Sequence, residues 1–239
     1  MKQVSFLLVA IVVLASCQPM RPVASSADGA PREFNFSQDK DTTIVQSLFS
    51  DKSSTISEEN IQRLLDDNYR LPASLRIAVV RLETSRERRY FWNDEYFQKS
   101  QQSYLDSFVV RLRSSRRVAM VSPVPSMLIT SNPSFTTIRE AAVRMQCNMV
   151  VIYSVNGDYY SRYKVFSSPE IKAFASTELL LMDVRTGMVP FSATVTRDAF
   201  TVKKKEDMDY AQARDRVLND AALASITEVG GRIAGFLGN

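Results

Sequence analysis

The sequence predicts an α/β fold: a mixed sheet with a βαβαβ parallel start, an antiparallel hairpin and a C-terminal helix. Three observations carry that expectation. Short apolar runs at Ile77–Leu82, Val118–Val121 and Met149–Val155 read as buried strands, separated by segments with helical spacing. After them the pattern changes to strict alternation, with Val189, Phe191, Ala193 and Val195 set between Ser192, Thr194 and Thr196. A long stretch, Asp207 to Phe236, then returns to helical spacing at Tyr210, Ala213, Val217, Ala221 and Ala224.

Each element follows from local chemistry. Ile77 to Leu82 is apolar on both faces apart from Arg81, as a central strand requires. Phe91 to Arg113 places Tyr96, Tyr104, Phe108 and Leu112 on one helical face, and the cluster Tyr90, Phe91, Trp92, Tyr96 and Phe97 is expected in the core. Pro123 and Pro125 stop the second strand. Ser134 or Thr136 can cap a helix carrying Ile138, Ala141, Ala142 and Met145. Strand, helix, strand, helix, strand at these intervals indicates parallel crossovers. Ala173 to Val184 reads as a long strand, and Asp183 to Met188, centred on Thr186-Gly187, as the turn between it and the antiparallel strand that follows.

The N-terminal region has a different grammar. Lys2 precedes an apolar run, Phe6 to Leu14, too short to span a bilayer but suited to a signal sequence. It ends in Leu14-Ala15-Ser16-Cys17, which resembles the bacterial lipobox. There a branched apolar residue and two small residues let the peptidase reach the bond before a diacylglycerol-bearing cysteine. The resemblance implies lipid attachment, palmitate included, at Cys17, and Gln18 in the next position implies outer-membrane sorting under enterobacterial rules. The expected organisation is a lipoprotein signal peptide at 1–16, a flexible tether at 17–38, a helical arm at 39–72 and an α/β domain at 73–239. The tether is broken by Pro19, Pro22, Pro31 and Gly29. In the arm, Ser57 followed by Glu58, Glu59 and Asn60 reads as a helix start, with Ile61, Leu64 and Leu65 on one face and Leu71-Pro72 as the stop.

Composition limits the chemistry. The 239 residues are 45% hydrophobic and 23% charged, so a core can form. There is no histidine, which removes histidine-based triads and histidine-ligated zinc. Seven glycines form no GxGxxG or P-loop pattern, and no cofactor or metal is expected. Without Lys2 the chain carries 29 basic and 26 acidic residues, a net +3, which reads as an ordinary basic surface and not a nucleic-acid face. The pairs Glu58/Glu59, Asp66/Asp67 and Asp94/Glu95 are adjacent on helices, point apart and cannot share a substrate. Cys147, between Met145 and Met149, reads as a buried structural thiol.

One enzyme pattern is present in fragments. Ser161-Arg162-Tyr163-Lys164 matches SxxK, Ser154-Val155-Asn156 matches SxN, and Arg185-Thr186-Gly187 is one residue from KTG. Their order is wrong for a penicillin-binding enzyme, and Ser161 lies in a β-rich stretch where serine and lysine cannot share a helix face. The expected role is therefore non-catalytic. The aromatic group Tyr159, Tyr160, Tyr163 and Phe166, interleaved with Arg162 and Lys164, is the candidate partner-binding surface. A twisted strand whose aromatics cover the sheet, or a surface stacking on sugars or bases, reads from the same residues.

Ile138 to Asp158 resembles a segment of the curli-secretion lipoprotein superfamily, in which a helix ends in a small polar turn and enters a buried strand. Leu180 to Val189 resembles that group's hairpin, and Ile77-Ala78-Val79-Val80-Arg81-Leu82 its first strand. The lipoprotein activator of penicillin-binding proteins and the N-terminal domain of the Tol translocation protein share that core. The resemblance implies a docking or assembly component of envelope secretion or surface assembly, with an envelope protein partner, and by analogy a homo-oligomer. The alternative it implies is a regulator of a peptidoglycan synthase. No run of long amphipathic hairpins suited to a transmembrane barrel is evident.

Overall fold

The computed structural model describes residues 48, 56–66, 68–82, 95–129, 133–164, 167–202, 204, 207 and 209–238, with the side chains of 161–169 excepted. By its contacts the chain divides into residues 1–39 and 40–239, and every described residue belongs to the second unit. Cys17, the signal sequence and the tether lie outside the described residues.

The elements run α1 (Glu58–Asp66), β1 (Leu75–Arg81), α2 (Glu95–Arg113), β2 (Val118–Pro123), a 3-10 turn (Ser126–Leu128), α3 (Phe135–Arg144), β3 (Met149–Lys164), β4 (Ser167–Asp183), β5 (Phe191–Val202) and α4 (Tyr210–Gly238). They build one five-stranded sheet in the order β2-β1-β3-β4-β5. β2, β1 and β3 are parallel, and β3, β4 and β5 are antiparallel. The expected fold class is the observed one. Ser134 is the cap of α3, its side chain accepting the Thr137 amide.

Two apolar clusters lie on opposite faces of the sheet. On one face, Tyr104, Phe108 and Leu112 of α2 and Val217, Ile226 and Ile233 of α4 pack on Ile77, Val79, Val151, Tyr153, Ala173, Ala175 and Leu181. Phe108 stacks obliquely on Tyr153 with ring centroids 4.5 Å apart. On the other face, Phe135, Ile138 and Ala142 of α3 pack on Ala78, Val80, Val150, Ile152 and Met182. The alternation of side chains along each strand makes this division, since neighbours in sequence point to opposite faces.

α4 is pinned to β4 by a buried polar relay. Ser225 donates to the Ala222 carbonyl at 2.8 Å, which leaves Thr177 as donor in the 2.6 Å contact between the two hydroxyls. Both side chains are buried, and pairing them removes the penalty of an unsatisfied hydroxyl under the helix. The start of the helix is tied to the end of β5 by Asp207, which accepts the Lys204 amide and the Arg216 guanidinium, each at 2.7 Å. The Arg216 hydrogen bond, with the Lys204 amide behind it, holds the Asp207 carboxyl below its ordinary range.

Two expectations change, and one element forms as read but stays on the surface. β3 runs to Lys164 and β4 begins at Ser167, so the pair is far longer than the strands read at 149–155 and 173–184. The polar residues that hid the extension face solvent on one side of the sheet while small apolar residues face α4 on the other. Tyr96, expected in the core, is 40% exposed because it sits one turn before Ser100, where the helix's buried stripe starts. α1 forms where Ser57 predicts, but it buries none of its residues.

Gly157 is the close-approach point beneath α4. A Cβ there would lie 2.7 Å from the Phe174 carbonyl oxygen and 2.8 Å from Leu218 Cδ1. Gly157→Val is expected to destabilise the fold by ~1–3 kcal/mol, by overpacking against backbone. Gly231, whose Cβ would meet nothing within 4 Å, is the control. Gly231→Ala should raise stability by ~0.5–1 kcal/mol through helix propensity. Urea unfolding of both variants measures the two effects.

Candidate functional site

The sequence singled out Tyr159, Tyr160, Arg162, Tyr163 and Phe166 as one surface. The strand divides them. Tyr159 is opposite Ala173, on the face that α4 covers. There the Arg214 guanidinium lies 4.7 Å from its ring centroid and donates to its hydroxyl at 2.6 Å. Tyr159 thus serves the helix and sheet contact, with a cation held over an aromatic face. Tyr160 points the other way, opposite Lys172, and is 45% exposed. Arg162 is opposite Glu170 in the same parity as Tyr160. The side chains of Arg162 and Tyr163, and all of Phe166, lie outside the described residues. Ser161 and Lys164 are on β3, so the SxxK fragment is strand and not helix.

Residues not singled out from the sequence join Tyr160. β4 aligns Lys172 with Phe200, and Phe174 with Asp158 on one side and Asp198 on the other. Phe174 is 40% exposed, Phe200 is 61% exposed, and Val202 is exposed as well. Lys172 and Asp198 form an ion pair at 2.9 Å. Hydrogen bonding and Coulomb attraction between the two raise the lysine and lower the carboxyl from their ordinary values. Further along, Thr196 donates to Ser176 at 3.0 Å. The signal was available in the alternation of Lys172, Phe174, Ser176 and Glu178 with Ile171, Ala173, Ala175 and Thr177.

A second cluster lies at the opposite end of β3. Asn148 accepts the Arg76 amide and donates to the Ser74 carbonyl, both at 2.8 Å, joining β1 to the start of β3. Asp183 closes the turn after β4, accepting the amides of Arg185 and Thr186 at 2.8 and 2.9 Å. Gly187 adopts φ +74°, and a Cβ there would meet the Phe135 ring at 2.8 Å, so the turn requires glycine. Tyr69 donates to the other Asp183 oxygen at 2.9 Å. Arg139 donates to the carbonyls of Val184 and Arg185. Asn148, Asp183, Tyr69 and Arg139 all bond backbone or one another, which gives them a structural role. Cys147, beside it, is buried with its thiol pushed up by burial, as a structural cysteine should be.

Among the described residues no group of three or more His, Cys, Asp or Glu could hold a metal ion. No described helix is long and apolar enough to cross a membrane.

No protein-family model matches the chain, and no curated protein matches it. Solved structures do. One is the PelC dodecamer from Paraburkholderia phytofirmans, a variant form, at 15% identity over 69% of this chain and 93% of that one, TM-score 0.35. A hypothetical protein from Chlamydia trachomatis matches at 19% identity over 69% of this chain and 98% of that one, TM-score 0.38. A lipoprotein from Neisseria meningitidis matches at 16% identity over 69% of this chain and 99% of that one, TM-score 0.34.

Tyr69 supplies a pH test. Burial, then the Asp183 hydrogen bond and charge, raise its phenol well above the usual value. A raised folded value means the neutral phenol stabilises the fold fully below about pH 10, and that stability is lost as pH rises above it. Tyr69→Phe is expected to cost ~1–2 kcal/mol at neutral pH, for a hydrogen bond to a charged group. It should also flatten the decline in stability above pH 10. Denaturant midpoints from pH 7 to 11 check both.

Proposed function

We propose that the chain is an outer-membrane lipoprotein facing the periplasm, held by acyl chains on Cys17, and that it acts without catalysis as a docking or assembly component of envelope secretion or surface assembly. The observation that carries this reading is the position of Cys17, directly after Leu14-Ala15-Ser16 at the end of a signal-length apolar run. Two or three acyl chains anchor stably where one is marginal, since each buried methylene contributes about 0.8 kcal/mol.

The described surface supports docking over chemistry. Its exposed aromatic group sits on an open sheet face, and the polar residues near it are paired with one another or open to water. The segments at 138–158 and 180–189, with their likeness to curli-secretion lipoproteins, favour assembly as the setting.

The test is Cys17→Ala expressed in a Gram-negative host with palmitate labelling and membrane fractionation. The expected result is a longer, unlabelled precursor absent from the outer membrane. Normal labelling, or a processed form that stays in the outer membrane, would overturn the anchor.

A further inference from the structure

The described helices cover three quarters of the sheet. On one face, α2 and α4 lie over the parallel and antiparallel halves. On the other face, α3 covers the parallel half, through Val150, Ile152 and Met182. The same parity carried along the strands leads past buried Ser154 to Asn156, Asp158 and Tyr160 on β3, Glu178, Ser176, Phe174 and Lys172 on β4, and Thr194, Thr196, Asp198 and Phe200 on β5. No described helix covers this fourth quarter, and its Phe174, Phe200, Tyr160 and Val202 are exposed. A layered α/β domain ordinarily buries such a face.

The size and charge of the quarter say what fits. Tyr160 and Phe200 flank Lys172 across two strand spacings, ~9.6 Å, and Phe174 lies between them one pleat along. That span matches the ~10 Å width of one α-helix. By strand position the charges in the same parity are Asp158, Glu170, Glu178 and Asp198 against Lys172, Arg162 and Lys164, four acidic and three basic, on a chain whose net charge is +4. With Lys172 committed to Asp198, the apolar centre is set among carboxylates. A partner of opposite sign is steered to such a surface and an acidic one is repelled.

We propose that this quarter of the sheet, centred on Tyr160, Phe174 and Phe200, docks a basic amphipathic helix of an envelope protein. It deepens the docking role proposed above and rests on it. The apolar stripe of the helix lies across the three rings, and its lysines or arginines face Asp158 and Glu178.

The probe is a fluorescent 18-residue amphipathic helix of leucine and lysine, with a leucine and glutamate counterpart. It is titrated against the chain from residue 17 onward bearing Cys17→Ser, so that no acyl chain competes for the peptide. The lysine peptide should bind saturably, and the glutamate peptide roughly tenfold or more weaker. Phe200→Ser and Phe174→Ser should each weaken the lysine peptide by roughly fivefold or more, with circular dichroism unchanged. Asp158→Asn with Glu178→Gln should weaken it and reduce its salt dependence. Equal binding of both peptides, or indifference to all these substitutions, overturns the proposal. So does a dimer in light scattering that Phe200→Ser dissolves, or a chitooligosaccharide that displaces the peptide, since either gives the face to another occupant. Failure here leaves the Cys17 fractionation result untouched, so the anchor and the docking face fail separately.

Discussion

The register of the β3 and β4 pair decides what every other part of the domain meets. It runs unbroken from Met149 opposite Asp183 to Arg162 opposite Glu170. One residue of slip would turn Lys172 and Phe174 under α4 and bring Ala173 and Ala175 out to water, because the side-chain period of a strand is two. The register is locked at one end by backbone and side-chain hydrogen bonds. Val184 donates to the Asn148 carbonyl, Asp183 organises the turn, and Tyr69 and Arg139 hold that turn from outside the sheet. In the middle, Gly157 admits α4 and Thr177 meets Ser225, both of which demand this alignment.

From that alignment the two faces acquire different roles. Small and branched residues of β4 on one side let a 29-residue helix lie close along the antiparallel half. The other side is left with rings, an ion pair and hydroxyls. Neighbouring tyrosines illustrate the consequence. Tyr159 closes the helix contact with Arg214, while Tyr160, one residue later, joins the exposed group. The two described tyrosines of the sequence's aromatic cluster therefore lie on opposite faces of the sheet.

Much of this architecture was legible in the residues. The apolar runs at 77–82 and 149–155 mark β1 and β3 because both of their faces are buried, which leaves a continuous signal, while the edge strand β2 buries only Val121. Thr186-Gly187 marks the turn because the left-handed backbone favours glycine. The far half of the long hairpin was harder to read. Around Ile171 and Val195 its buried face is filled by alanine, glycine and threonine, which carry little hydrophobic signal, and its open face mixes phenylalanine with charge. Phe174 and Phe200 are brought together only by pairing between strands, which no local window contains. Contacts such as Tyr69 with Asp183, 114 positions apart in sequence, are likewise products of the fold alone.

The antiparallel half of the sheet is covered by α4 on one face and, among the described residues, by no helix on the other. Single cysteines placed in turn at positions 171 to 178, in purified protein with Cys147→Ser and Cys17→Ser, test it directly. Reaction with a water-soluble maleimide should alternate, with 172, 174, 176 and 178 faster than 171, 173, 175 and 177 by on the order of tenfold. Uniform protection would mean the face is already occupied by the chain itself, and uniform reactivity would mean α4 does not lie where the register puts it; either result contradicts the account.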